Sequence, residues 1–334
     1  MNKPNQLAHR GIYLIFTCLL VAGCAQQNQN DPNRPQGTDY YIQARAAYRA
    51  GQTDQAIRLL ELTLAANPSH RMAHEMLGDA YRAKGDYERA LVQYRAAAKL
   101  DPYSAITQYD LGVAAQILNH LEEAAAAYLR ALQLNPKDVK SNMNLGLVYL
   151  ALGQKDDAIK YLRRATQFDP NYALAWCNLG VALDSTGRLN EAESVYRKSL
   201  ELDSKNLVTL QNLAQNLIAQ KKASEALAIM DQVLVRSDSS AIRKRYGDAL
   251  ELAKRYDEAI KQYDRALKGD PHNIGAMNEK GFALIDKYVD GLELDDAERM
   301  TALKLWHDSL KANPDQPRIQ AAIEKWEKAG LFGD

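Results

Sequence analysis

The chain predicts an all-α fold, a solenoid built by stacking one helix pair on the next, and three observations carry that expectation. Ala56, Ala90, Ala124, Ala158, Ala192 and Ala226 recur at a step of 34 residues. Gly78, Gly112, Gly146 and Gly180 keep the same step, twelve residues ahead of four of those alanines. Pro68, Pro102, Pro136 and Pro170 keep it again. A unit of about 34 residues holds two helices and a turn but cannot bury its apolar faces alone, so it must stack on copies of itself.

The first residues stand outside this pattern. Lys3 and Arg10 precede an apolar run from Gly11 to Gly23, 13 residues long, where about 20 are needed to span a bilayer as a helix. Residues 1–23 therefore read as a signal peptide. Ala25 to Thr38, AQQNQNDPNRPQGT, is polar with two prolines and predicts an unfolded tether. Such a coil has an r.m.s. span of about 20 Å and a stretched reach of about 50 Å.

From Asp39 onward the units open on a helix whose Leu and small residue meet the second helix: Leu77, Leu111, Leu145 and Leu179 beside the periodic glycines and Leu213 beside Ala214. Where two helices cross at roughly 8–10 Å the contact residue must be small, which the periodic Gly and Ala supply. Gly51, Gly85, Gly153 and Gly187 fall in the turn within a pair, where positive φ is easily reached. Tyr94, Tyr128, Leu162 and Tyr196 fill the second helix's side of the core. The prolines then stop each second helix and set up the next first helix.

Three departures bear on the array. The first unit has Gln43 and Ala44 where others have Leu and Gly, as a solvent-facing terminal unit would. The sixth has Ala214 for the contact Gly, Lys221 for the turn Gly and Val233 for a small residue, and loses one residue before Gly247, so Ala219 to Ala241 is the expected local hinge. The last unit spans 21 residues from Gly281 to Ala302 where others use twelve, an insertion of nine. Beyond Pro317, Ile319, Ile323 and Trp326 form an apolar stripe at helical spacing, predicting a helix that covers the end of the array.

These residues resemble the tetratricopeptide repeat, whose 34-residue pattern sets an aromatic or Leu, Leu-Gly, Tyr, Ala, aromatic, Ala and Pro at fixed offsets. AWCNLGVALDSTGRLNEAESVYRKSLELD, from Ala175 to Asp203, matches it nearly throughout. The resemblance covers Asp39 to about Pro314 and implies a right-handed superhelical solenoid of some eight units, residues 39–314, followed by a capping helix and tail, residues 315–334. A second resemblance lies at Leu20-Val21-Ala22-Gly23-Cys24, which looks like the lipobox of bacterial lipoproteins. It implies that Cys24 is the lipidated N-terminus of a chain whose residues 24–38 form the tether, and Ala25, in place of Asp, implies the outer membrane. Three acyl chains, at about 0.8 kcal/mol per buried methylene, make such an anchor effectively permanent.

Composition narrows the function. Lys plus Arg equals Asp plus Glu at 42 each, and without residues 1–23, which hold Lys3 and Arg10 and no acid, the balance is 40 against 42, so no basic excess points to nucleic acid. Of three cysteines Cys18 leaves with the signal and Cys24 takes lipid, so Cys177 has no internal partner. His70 and His74 have the four-residue spacing of a helical metal pair, but one falls in the turn after Pro68 and the other takes a packing place, so no metal site or cofactor is expected. No phosphate loop, nucleophile elbow or CxxC pair occurs, and no enzyme is expected. The acidic insertion, Asp290, Glu293, Asp295, Asp296 and Glu298, lacks the ligand alternation of a calcium loop and reads as a solvated extension of the last unit.

What remains is a surface. If the fourth, seventh, eighth and eleventh places of each first helix face its partner, the second, fifth, sixth, ninth and twelfth point to what the family geometry makes the concave wall. Tyr109, Val113, Met143, Leu147, Leu150, Cys177 and Val181 hold such places, with two readings open: partner binding, or packing between adjacent repeats. Asn144, Asn178 and Asn212 share the sixth place of successive units, with Asp110 one unit earlier. A row of amides can hold an extended peptide backbone, and this row resembles the asparagine ladder of O-GlcNAc transferases, although the chain has no room for their catalytic domain; equally, Asn is common at this place in the family. The surface does not resemble the carboxylate clamp of chaperone-binding repeats, whose Lys and Arg places hold Asn, Leu and Val here.

The expected function is a lipid-anchored scaffold binding an extended segment or helix of a partner protein. In layout it looks like lipoproteins that assist pilus assembly and like those that recruit cell-wall hydrolases. Self-association into a structural assembly on the membrane is the rival reading.

Overall fold

A computed structural model describes residues 36–291 and 296–329. The signal segment, Cys24 and most of the tether thus lie outside the described residues, as do Glu293 and Asp295. Within them are seventeen α-helices and no strand. The chain divides into two compact units at Leu134/Asn135.

The first unit holds three helix pairs: α1 (Gln36–Arg49) with α2 (Thr53–Ala66), α3 (Arg71–Ala83) with α4 (Tyr87–Leu100), and α5 (Ala105–Ile117) with α6 (Leu121–Leu134). Helix α1 starts three residues ahead of Asp39, so Gln36 to Thr38, read as the end of the tether, form its first turn. The second unit holds five pairs: α7 (Val139–Ala151) with α8 (Lys155–Phe168), α9 (Ala173–Ser185) with α10 (Leu189–Leu202), α11 (Leu207–Ala219) with α12 (Ala223–Arg236), α13 (Ser240–Leu252) with α14 (Tyr256–Gly269), and α15 (Ile274–Asp290) with α16 (Asp296–Ala312). The expected final helix is α17 (Pro317–Ala329), packed on α16 with Ile319 and Ile323 buried.

Each pair closes on one packing device. A Cβ at Gly78 would come within 2.7 Å of the Tyr94 ring, and one at Gly112 within 2.6 Å of Tyr128; Gly146 meets Leu162, Gly180 meets Tyr196, and Gly247 meets Tyr263 in the same way, always sixteen residues on. In the last pair Gly281 meets Trp306, twenty-five residues on, which carries the nine inserted residues. Helix lengths show where these go: four extend the first helix from 13 to 17 residues, three extend the second from 14 to 17, and two lengthen the connection. The described acids of the insertion are surface ion-pair members: Asp290 with Lys254, Asp296 with Arg299 and Glu298 with Lys287.

Where the contact residue is not Gly, its opposite number is flexible. Ala44 in the first pair lies sixteen residues before Leu60, and Ala214 in the sixth lies sixteen before Met230, all four buried. The degraded sixth unit therefore keeps its own buried cluster of Leu210, Ala214, Met230, Val233 and Ile242. The segment from Ala219 to Ala241, where a hinge is expected, thus contributes Met230 and Val233 to a packed interior, an unbranched Met standing opposite the methyl of Ala214.

The punctuation is local chemistry. Gly51, Gly85, Gly153 and Gly187 have φ of 75–76°. Asn119, Lys221 and Lys254 take the same place with φ of 58–60°, a conformation Asn tolerates but that strains a Lys by about 1 kcal/mol. Lys221→Gly is thus expected to raise stability by roughly 0.5 kcal/mol, the strain relief being offset in part by unfolded-state entropy; a higher urea midpoint at unchanged slope is the readout. Between pairs, the residue before Pro68, Pro102 and Pro170 accepts the N–H two residues on: Asn67 from Ser69, Asp101 from Tyr103 and Asp169 from Asn171, at 3.0–3.1 Å. Asp203 makes the same turn to Lys205 without a proline, because the Asx side chain itself mimics a backbone turn. The next first helix is then capped by a side chain, as by Ser104, Asp138, Asn206, Ser239 and Asn273.

Second helices of successive pairs are linked by Arg95 to Glu123 in the first unit, and by Arg163 to Glu191 and Arg197 to Glu225 in the second. These pairs are solvent-exposed and contribute little stability each, so the mixed charge runs are solvated faces.

Candidate functional site

First helices carry the candidate wall, and each unit presents its own part. In the first unit Tyr109, Asp110 and Val113 lie on α5 and are all half-buried. The Tyr109 ring packs 5.9 Å from that of Tyr128. Asp110 accepts from Arg82 Nη1 at 2.8 Å, while Nη2 of the same guanidinium reaches Asp79 at 2.8 Å. Burial pushes the Asp110 carboxyl up, and Arg82 pulls it back down. Asp110 is therefore engaged by its own unit and does not offer the open acceptor that the amide row would extend.

In the second unit α7 touches α9, and α9 touches α11, so the sixth places of these helices are neighbours. Asn144, Asn178 and Asn212 occupy them, each half-buried. Asn178 makes no side-chain hydrogen bond among the described residues. Asn212 donates only to the Cys177 Sγ, at 3.8 Å, a weak acceptor. An amide has two donor hydrogens and an acceptor oxygen, so both side chains keep hydrogen-bonding capacity to spend.

The apolar places divide between the two readings. Met143 is 7% exposed and Cys177 is 2% exposed, both within the main buried cluster of the unit. Met143 is therefore corrected from a wall contact to a core residue, because the fifth place turns into the seam between adjacent first helices. Burial also pushes the Cys177 thiol up, which keeps it protonated and unreactive. Leu147 and Leu150 are half-buried, Leu150 against that same cluster, and Val181 is open. The second place also points to the wall, but the residues there were not named: Leu174 is 43% and Val208 61% exposed. Their signal was present in the helical wheel. The amide row is thus bordered by Leu174 and Val208 on one side and by Leu147 and Val181 on the other.

The row ends at Asn212. Arg245 and Glu279 hold the corresponding places of α13 and α15, paired with Gln211 and Arg318. Between α13 and α15 lies a cleft of about 460 Å³ lined by Lys244, Asp248, Glu251, Glu279 and Asp286 with Ile218 and Tyr256. The histidines raised as a metal pair are engaged otherwise: His70 caps α3 by accepting from Ala73 N, and His74 sits between Gln93 Oε1 and the Pro68 carbonyl.

Among the described residues, stacked helix pairs that present a row of amides, with hydrogen-bonding capacity left at Asn178 and Asn212, have the geometry of an interaction scaffold. The tetratricopeptide repeat model matches residues 41–105, 109–173 and 212–274, and a second model of the same description matches 173–206. The chain belongs to the tetratricopeptide repeat family, and like its other members it is a scaffold for contacts with proteins or peptides.

Individual likenesses are partial. Over 70 residues the chain is 36% identical to Superkiller complex protein 3 of Mus musculus and of Homo sapiens, a stretch that is 21% of this chain and 4% of those proteins. The chain thus spans about 4% of the length of the curated relatives it matches. Among solved structures it is similar to a tetratricopeptide repeat protein of Parabacteroides merdae, with TM-score 0.55 and 16% identity over 70% of this chain and 93% of that one. It is also similar to pilF of Pseudomonas aeruginosa, with TM-score 0.54 and 21% identity over 62% of this chain and 94% of that one. At these identities the likeness is one of fold.

Proposed function

We propose that the chain is a lipid-anchored scaffold of the bacterial envelope, held to the outer membrane through Cys24 and facing the periplasm. Its second unit receives an extended segment or a helix of a partner protein along α7, α9 and α11, and so assists the assembly of an envelope machine such as a pilus or secretion system. The observation that carries this reading is the amide row: Asn178 and Asn212 sit on adjacent helices with hydrogen bonds unspent, between the exposed Leu174, Val181 and Val208. Amides supply sequence-tolerant hydrogen bonds to a peptide backbone, and the flanking apolar side chains supply area. The lipobox-like Leu20 to Cys24 supports the anchor.

Replacing Asn144, Asn178 and Asn212 together by Ala is expected to leave the helical content and melting curve unchanged while weakening capture roughly thirtyfold. That is about 2 kcal/mol for a set of neutral hydrogen bonds whose net contribution is about 1 kcal/mol each or less. The measurement is in-cell crosslinking from a photoreactive residue at Leu147, with Lys160 on the exposed face of α8 as control. Equal crosslinked product from the parent and triple variants would refute the wall assignment. The anchor is tested separately: radiolabelled palmitate enters the parent chain and not Cys24→Ser.

A further inference from the structure

The buried hydroxyls of the second helices each find an acceptor on their own first helix. Tyr94 donates to Asp79, Tyr128 to Gln116 and Tyr196 to Asp184, each at 2.8 Å. Tyr263, which is fully buried, is placed against two acids: Glu251 Oε2 at 2.8 Å and Asp248 Oδ1 at 3.0 Å. The seventh pair alone has acids at both the ninth and twelfth places of its first helix; in the other pairs, in order, one of the two is Arg45, Arg82, Val113, Leu150, Val181, Ile218 or Phe282.

A phenol carries one hydrogen, so it can donate to only one of two carboxylates. Two ionised acids at these distances would leave one oxygen facing another with no proton between them. Lys244 Nζ lies 2.8 Å from Asp248 and forms an ion pair with it. Glu251 makes no ion pair among the described residues.

We propose that Glu251 keeps its proton in the folded chain and donates it to the Tyr263 oxygen, while Tyr263 donates to Asp248, so that the seventh pair is closed by a proton-dependent latch. Loss of that proton to solvent leaves an unpaired carboxylate in the cleft and loosens α13 against α14 and α15.

The surroundings explain why the charged form is disfavoured. From its own helix Glu251 faces Lys244 and Asp248, and from the turn after it Lys254; α14 presents Tyr256 and Tyr263; α15 presents Glu279 and Asp286; α11 presents the apolar Ile218. The cations of the cleft are already committed, Lys244 to Asp248 and Lys254 to Asp290, while Arg318 of α17 reaches Glu279. Burial first, with Glu279, Asp286 and Asp248 adding, pushes the Glu251 carboxyl up to about 7, even against the hydrogen bond that Tyr263 would donate to its ionised form. Because this lies above the unfolded value of about 4.3, the folded chain holds a proton that the unfolded chain lacks between those two values. The contribution to stability is therefore full in acid and is lost as pH rises through about 7.

The test uses the full chain and its Glu251→Gln variant, whose amide offers Tyr263 a neutral donor at every pH. Between about pH 5 and 7 the ratio of the two unfolding constants is expected to change by up to about tenfold per pH unit, with the variant gaining on the parent. Amide exchange over α13 to α15 accelerates with pH beyond its intrinsic rate in the parent only. Parallel stability profiles for the two proteins would overturn the latch. A second measurement needs no variant to fold: the side-chain carboxyl carbon of Glu251, followed by NMR in the parent chain, titrates near 7 if the latch exists, and a midpoint below about 5 rules it out.

Discussion

Trp306→Ala is expected to lower the stability of the last helix pair by about 4 kcal/mol, the scale of emptying a fully buried large aromatic site. Trp306 is 0% exposed, its Nε1–H donates to the Asn278 carbonyl at 3.1 Å, and its ring centroid lies 4.9 Å from that of Phe282. Around it are Leu284, Ile285, Ala302, Leu303, Ile319 and Ile323, so one side chain joins α15, α16 and the final helix. The loss should be local at first, because each unit of a repeat array contacts only its neighbours. Hydrogen exchange is expected to rise over α15 to α17 while α7 to α10 keep their protection; a uniform rise across the second unit would show that the last pair is not a separate cooperative block.

Gly180→Val is expected to cost about 3 kcal/mol, at the upper end of what overpacking a core costs. A Cβ there would fall inside the envelope of the Tyr196 ring, and that ring cannot retreat, being buried with its hydroxyl on Asp184. Gly180→Ala should cost less, since Ala gains about 1 kcal/mol of helix propensity over Gly. The sharper expectation is the coupling. Ala214 over Met230 and Ala44 over Leu60 are buried pairs at the same two places, so Gly180→Ala combined with Tyr196→Met should be more stable than the sum of its parts by at least about 1 kcal/mol. Urea unfolding of the four proteins closes the cycle; strict additivity would mean that the Gly and the ring do not share one space.

Much of this architecture was legible beforehand because its causes are short-range. The Gly that meets a ring sixteen residues on, the αL turn and the proline after each second helix are contacts within one unit. Each recurs in most units, with Asn119, Lys221 and Lys254 taking the turn without Gly. Even the long last unit could be aligned, since Ile319 and Ile323 show their apolar stripe without help from distant residues. Over Ala219 to Ala241 the substitutions hide the packing for the complementary reason. A list of substituted small residues does not reveal that Met230 and Val233 repack beneath them.

The wall was harder to read. Asp110, Asn144, Asn178 and Asn212 look alike at one place of the repeat, yet Arg82 from the preceding pair binds the first, and Asn178 is left with its amide unspent. Met143 and Cys177 look like wall residues until adjacent first helices close over them. Nothing in the sequence sets Glu251 apart from the other acids; only folding places it 2.8 Å from a phenol that also reaches Asp248.

By itself the sequence determined the repeat, its helix pairs, the turn and contact residues and the final helix, since each depends on side chains within a few turns of one another. Tertiary structure alone decided which wall residues stay open, which acid keeps a proton and where the chain divides into compact units. Burial and hydrogen-bond partnership at those places are set by the neighbouring pair, whose side chains the 34-residue period does not specify.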